Sequence, residues 1–266
     1  MGKAFCYNTE SFSFILAYIN YNEIFYWRLL MVEEIKLSER LLRVASYLPE
    51  GAFFADIGSD HAYLPCFVCQ NDANARAIAG EVNVGPLSSA KETITKYQLN
   101  NKVEARLGDG LAILQQNEVK QVVIAGMGGS LIRSILENGK DKLQRVELII
   151  AQPNVDEKNV RKWFMDNNFK IQDETILEEN GHVYEIIVGK RTSNSYRLTE
   201  KEQFFGPVLL TKKLRLFYNK WESERDKLIR VINQMKNAKV QDQIKIEQFQ
   251  EQLDWIEEVL EDGDNN

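Results

Sequence analysis

The run Phe53-Phe54-Ala55-Asp56-Ile57-Gly58 constrains this chain more than any other feature. Apolar and aromatic residues closed by an acid and a glycine make a short buried strand that turns sharply into a helix. The pattern recurs four times. Residues 76–82 end around Glu81, 102–107 at Gly108-Asp109-Gly110, 121–126 at Gly126-Met127-Gly128-Gly129, and 146–151 at Gln152-Pro153-Asn154. Helical spacing follows the strands over residues 60–70, 87–99, 111–116, 130–137 and 155–167, and precedes them over 37–48, where Pro49-Glu50-Gly51 closes the first helix. Strands that alternate with helices in this way predict a parallel α/β sheet covered on both faces. The alternation then stops. Residues 169–178 and 182–190 read as two strands joined at Glu179-Asn180-Gly181, a hairpin signal.

Beyond Tyr196 no strand-like run appears. Phe204-Phe205-Gly206-Pro207 is a break. Residues 208–235 read as one helix with Leu214, Phe217, Trp221, Leu228, Ile232 and Met235 near one stripe. A second helix, 240–260, carries Ile246, Phe249, Leu253, Ile256 and Leu260 at spacings of 3, 4, 3 and 4, a coiled-coil seam. With Asn237-Ala238-Lys239 as the turn, the prediction is an antiparallel helical hairpin, with disorder over 261–266. Residues 1–30 differ from all the rest and hold 9 of the 27 aromatic residues. They contain no span long enough for a membrane and no secretory cleavage pattern. The expected organisation is an upstream extension over 1–30 with Met31 as the natural start, an α/β domain over 31–195, and a helical coiled-coil domain over 196–262.

The net charge of −6 hides a segregation. Residues 190–245 carry 14 basic and 6 acidic residues, and 246–266 carry 8 acids and no base. A basic segment between acidic ones fits a nucleic-acid contact better than the total suggests. Cys66 and Cys69 form a CxxC inside a helix rather than at its start, which favours buried thiols over redox or zinc chemistry. Only two histidines accompany them, and no metal is expected.

In open parallel sheets ligands bind outside the carboxyl ends of the strands, and every unusual residue falls there. Glu81, after the second strand, suits two ribose hydroxyls. Asp109, after the third, suits an adenine amino group, with the Gly110 N–H reaching a ring nitrogen. The loop Gly58-Ser59-Asp60-His61-Ala62 has one glycine where a dinucleotide cradle needs Gly-x-Gly-x-x-Gly. A pyrophosphate there would meet Asp56 and Asp60 unfavourably, whereas a sulfonium and an ammonium would not. Charge sign therefore favours S-adenosyl-L-methionine over NAD.

Five β–α units followed by an antiparallel hairpin resemble a class I (Rossmann-like) methyltransferase sheet, whose last strand inserts antiparallel beside the fifth. The segments DIGSDHAYLP (56–65), GEVNVGPLSSA (80–90), RLGDGL (106–111), IAGMGGSLI (124–132) and AQPN (151–154), with the Phe205-Gly206-Pro207 joint and the helical hairpin, are similar to the bacterial tRNA (adenine(22)-N(1))-methyltransferase family. The likeness spans roughly residues 35–260. Amino-group methyltransferases carry an Asn/Asp-Pro-Pro-aromatic loop after the fourth strand. This chain has GMGG there, as that family does.

The resemblance implies transfer of a methyl group from S-adenosyl-L-methionine to N1 of adenine 22 in tRNA, by a cytoplasmic monomer without metal or membrane association. The missing Pro-Pro loop fits this target, because N1 has an in-plane lone pair and needs no help to become a nucleophile. Reaching it requires the base to be unpaired or flipped. Arg40, Asp56, Gly58, Glu81, Val82, Asp109, Gly110, Gly126, Met127 and Gly128 are the expected cofactor contacts. Asp60, His61 and Asn154 are the candidate catalytic residues, although a helix cap serves equally for the first two and a turn for Asn154. Tyr63 is a candidate for the base pocket, and Lys212, Lys213, Arg215, Lys220 and Arg225 for tRNA phosphates, or else for a solvated coiled-coil face. Two other readings stay open: a methyltransferase of another substrate class, and a non-catalytic interaction module on the same fold.

Overall fold

The structure is a computed structural model that describes residues 34–264. The expected extension 1–30 and the start at Met31 lie outside the described residues. The chain divides into two units, Met1–Lys36 and Leu37–Asn266, and the sheet with all its helices belongs to the second. In chain order that unit contains α1 (Glu39–Ala45), β1 (Phe53–Ile57), α2 (Tyr63–Asn71), β2 (Arg76–Glu81), α3 (Val84–Lys96) and β3 (Val103–Leu107). A 3-10 turn (Gly110–Ile113) leads to β4 (Gln121–Met127), α4 (Gly129–Asn138), β5 (Leu148–Pro153) and α5 (Glu157–Asp166). Then come β6 (Phe169–Glu179), β7 (His182–Arg191), α6 (Glu200–Phe205), α7 (Pro207–Lys212), α8 (Arg215–Lys236) and α9 (Gln243–Asp264).

The seven strands form one sheet in the order β3-β2-β1-β4-β5-β7-β6. The first five are mutually parallel, and β7 runs antiparallel between β5 and β6. This is the sheet order that the sequence resemblance implies, with an antiparallel strand beside the fifth. The strand order reverses between β1 and β4, and their carboxyl ends face the crevice where such sheets bind ligands. The main core contains Ile57, Val122, Ile124, Ile149 and Ala151 from the central strands, against Ile132, Leu136, Val160 and Phe164 from α4 and α5. Cys66 and Cys69 are free and buried, and burial pushes both thiols up to about 12, which makes them packing residues.

The helical region departs from its sequence pattern in three places. Residues 208–235 are not one helix. α7 stops at Lys213, which is left-handed (φ 39°), and α8 begins two residues later. Leu214 is 53 % exposed, so the buried stripe starts at Phe217. α9 begins at Gln243, which lengthens the turn, and continues to Asp264, so residues 261–264 are helical rather than disordered. The hairpin also has its own core on the sheet: Phe205, Leu209, Phe217, Trp221, Ile256, Val259 and Leu260 pack with Ile176 of β6. α3 starts at Val84, before the expected 87, because Gly85 and Pro86 fit a first turn, where no N–H is needed.

A buried ion cluster ties these helices to the sheet. Arg161 of α5 donates to Glu174 of β6 at 2.7 Å and to Glu185 of β7, and all three side chains are wholly buried. Glu174 also accepts from Val208 N at 2.9 Å at the start of α7. Lys220 of α8 reaches Glu157 and Glu185, both at 2.6 Å. Burial alone would lower the Lys220 ammonium, but Glu185 and Glu157 together raise it. A Cβ at Gly206 would press on Arg161 and Glu174, which explains the glycine at that joint.

Candidate active site

The end of β1 turns over a carboxyl. Asp56 is buried and accepts from Ser59 Oγ at 2.6 Å. The N–H groups of Gly58 and Ser59 both donate to Gly80 O of the neighbouring strand, at 2.9 and 3.1 Å. Asp60 N donates to Glu81 Oε1 at 2.7 Å, leaving the other Glu81 oxygen without a protein partner among the described residues. Gly58 is left-handed (φ 70°), and a Cβ there would overlap the Met127 methyl, so Met127 folds over the turn. Asp60, His61 and Ala62 are left-handed too (φ 40°, 65° and 57°), a conformation that costs an L-residue roughly 1–2 kcal/mol. The helix therefore opens at Tyr63, with Ala62 in the N-cap position and no side-chain cap bond. Neither Asp60 nor His61 caps it. His61 lies 3.6 Å from Asp60 and stacks on Tyr63, with ring centroids 5.6 Å apart.

The electrostatics of this corner are one-sided. Burial pushes the Asp56 carboxyl up to about 7. Ser59 opposes the shift, and the charges of Glu81 and Asp60 add to it. Glu81 is raised as well, first by burial, against the N–H of Asp60. No lysine or arginine pairs with Asp56, Asp60 or Glu81 among the described residues. Such a site fits a cationic ligand tail and disfavours an anionic one. Val82, beside Glu81, is 61 % exposed, and Asp109 is exposed at the start of the 3-10 turn with no side-chain cap bond. Both stand at the carboxyl ends of their strands, β2 and β3.

The ends of β4 and β5 form the opposite wall. Between Ala125 and Met127 the register with β5 shifts, and Gly126 (φ 78°) is the extra residue of the bulge. Its backbone groups are met by side chains: Gly126 N donates to Gln152 Oε1 at 3.0 Å, and Asn154 Nδ2 donates to Gly126 O at 2.8 Å. Asn154 N donates to Met127 O at 2.8 Å. Gly129 has no room for a side chain, since a Cβ would overlap the carbonyl of Asp156. The GMGG motif is thus a bulge plus a close backbone approach, and Gly128 is the N-cap of α4.

Arg40, whose sequence position suggests a cofactor carboxylate, also has partners within the fold. Its Nη1 donates to Gln152 Oε1, its Nε lies 3.7 Å from Glu179, and its guanidinium covers the Tyr184 ring at 5.2 Å. It works as a clamp beside Gly126. Sequence reasoning misses Gln152 as a site residue. Its one signal is a polar residue closing the apolar run Leu148–Pro153, and it is wholly buried.

The expected RNA contacts separate. Lys220 is unavailable to phosphate, because Glu157 and Glu185 enclose it. Lys212 bonds Asp173 at 2.7 Å, and Lys213 bonds Asp262 at 3.1 Å. Arg225 meets only its neighbour Asp226 at 3.2 Å, and Arg215 is exposed without an ion pair among the described residues. Tyr63 is 42 % exposed at the rim of the glycine turn. A cleft of about 1010 Å³, lined by Asn154, Glu157, Tyr184, Trp221 and Phe249 among others, runs from the β5 end to the hairpin.

Comparison with known proteins agrees with this geometry. The family model described as tRNA (adenine(22)-N(1))-methyltransferase matches residues 54–258. The curated tRNA (adenine(22)-N(1))-methyltransferase of Bacillus subtilis is 40% identical over 238 residues, covering 87% of this chain and 100% of that protein. The crystal structure of the B. subtilis m1A22 tRNA methyltransferase superposes with a TM-score of 0.80 at 39% identity, over 85% of this chain and 100% of that one. The M. capricolum relative, solved with the natural cofactor product S-adenosyl-homocysteine, gives 0.73 at 29% identity, over 85% and 98%. The chain belongs to the tRNA (adenine(22)-N(1))-methyltransferase family.

Proposed function

We propose that the carboxyl ends of the five parallel strands, β1 to β5, bind S-adenosyl-L-methionine and the target base, and that the protein methylates N1 of adenine 22 in tRNA. The observation that carries the cofactor reading is the cluster Asp56, Asp60 and Glu81 around one glycine turn, with no lysine or arginine paired to it among the described residues. The cofactor, when bound, supplies a methyl group on a cationic sulfur; N1 gains the N–C bond as the C–S bond breaks, the positive charge passes to the ring, and no proton leaves. The protein residues then bind and align. Glu81 holds hydroxyls, Asp109 and Gly110 meet the cofactor base, and the acidic corner favours the cationic tail. No general base is required. Alignment of N1 with the methyl group carries most of the rate, and the exposed edge of Asn154 faces the space for the base.

The same reading makes the protein a metal-free cytoplasmic monomer. Among the described residues no helix is long and apolar enough to cross a membrane. A metal chelator is expected to leave activity unchanged, and light scattering to give the mass of one chain. The decisive test is methylation of unmodified tRNA transcripts with labelled cofactor, followed by mapping through reverse-transcription stops. A stop at adenine 22 is expected. Cofactor binding without any methylated adenine would favour the interaction-module reading instead.

A further inference from the structure

The bulge at Gly126 imposes an order on the amides around it. Gln152 Oε1 receives two donors, Arg40 Nη1 and Gly126 N, and neither can accept. The Gln152 amide can therefore stand only one way round. Its Nε2 must face acceptors, and it does: Pro153 O at 2.9 Å and Asn154 Oδ1 at 3.2 Å. That in turn orients Asn154, whose Oδ1 faces Gln152 while its Nδ2 donates to Gly126 O at 2.8 Å. Each end of the Asn154 amide spends one hydrogen bond on the protein. One lone pair on Oδ1 and one N–H on Nδ2 are left, on an exposed side chain that lines the cleft.

An amide with a free acceptor beside a free donor is the complement of the N6–H and N7 of adenine. We infer that Asn154 reads the N6/N7 edge of the target adenine, and that Gln152 and Arg40 are positioning residues that hold its amide the right way round. The inference rests on the proposed adenine methylation. It explains how a base is gripped without blocking the reaction. A donor placed on N1 would occupy the lone pair that must form the new bond. A grip on N6 and N7 leaves N1 free on the other side of the amino group. Guanine fails the same test, since its O6 and N7 are both acceptors and Oδ1 would face O6 without a hydrogen between them.

The test uses the full chain and tRNA transcripts carrying either adenosine or 7-deazaadenosine at the target position; the deaza base keeps N1 and N6 but lacks the N7 acceptor. The unmodified protein should lose kcat/KM on the order of tenfold on the deaza transcript. Asn154→Ala, slower on adenosine, should show no further loss. Gln152→Glu still accepts from Arg40 and Gly126 but offers no N–H to Asn154. It should lower kcat rather than KM, bind cofactor as before, and shrink the deaza penalty, a pattern that simple loss of packing would not give. Cofactor affinity of each variant reports that its site is folded. An equal deaza penalty with and without Asn154, or no penalty in the unmodified protein, overturns the inference while leaving the proposed function standing. Failure to methylate the adenosine transcript at all removes both.

Discussion

Burial of Asp56 makes the proposed cofactor seat sensitive to pH. Its carboxyl is raised from 3.8 to about 7, so the folded protein keeps a proton that the unfolded chain releases. The stability tied to this group is fully present below its unfolded value and is lost as pH rises through about 7. A cation placed beside the carboxylate reverses the balance. Cofactor affinity is therefore expected to rise with pH through about 7, with proton release on binding, and Asp56→Asn should bind more weakly and lose that slope. Calorimetry across this range checks it, and an unchanged slope in the variant would assign the proton elsewhere. Gly129 offers a second residue-scale check. A Cβ there must displace the Asp156 carbonyl, so Gly129→Ala should lose about 1–3 kcal/mol in urea unfolding and most of its methyl transfer. The acids at the strand ends are legible in the sequence because strand grammar alone locates a carboxyl end. The pairing of Arg40 with Gln152 is not, since it joins residues 112 positions apart and has no local signature.

Among elements, the joint between sheet and hairpin holds the least expected chemistry. Arg161 sits in α5 beside Lys158 and Lys162 and reads in sequence as one more solvated cation, yet its side chain is wholly buried between two carboxylates. Burial alone would lower its guanidinium, and Glu174 and Glu185 hold it protonated. Arg161→Met leaves Glu174 in the interior without its cation, leaves Glu185 with Lys220 alone, and removes the donors to the Gln203 and Phe204 carbonyls. A loss of roughly 3–5 kcal/mol in denaturant unfolding is expected. A change too small to resolve in the unfolding midpoint would mean that the cluster relaxes at no cost. The break at Lys213 escapes the periodic pattern because Leu214 falls on the apolar stripe although the fold leaves it outside. Periodicity reports which residues are apolar. A left-handed non-glycine residue between two helices gives it nothing to detect. The seam of α9 is legible because Ile246, Leu253, Ile256 and Leu260 are all buried as their spacing requires.

For the molecule as a whole, the charge segregation has to be recounted after pairing. Of the basic residues in the hairpin region, Lys220 is enclosed and Lys212 and Lys213 are paired with Asp173 and Asp262, whereas Arg215, Arg230, Lys236 and Lys239 are exposed without an ion pair among the described residues. Reversing these four to glutamate should weaken tRNA binding, with cofactor affinity unchanged. The salt slope of binding should fall by up to about 0.9 for each phosphate that is no longer neutralised. Filter binding over a salt series measures both, and an unaltered slope would reject the hairpin as the phosphate-binding element. The placement of β7 has a consequence in time. β6 leaves the ribosome before β7, yet β7 lies between it and β5. The long second strand of the β6–β7 hairpin must therefore be made before β5 loses its open edge, and Glu185, on which both Arg161 and Lys220 close, arrives with it. Synthesis halted before residue 182 should leave a nascent chain with an unpaired strand edge and no seat for the helices, the species that chaperones are built to shield.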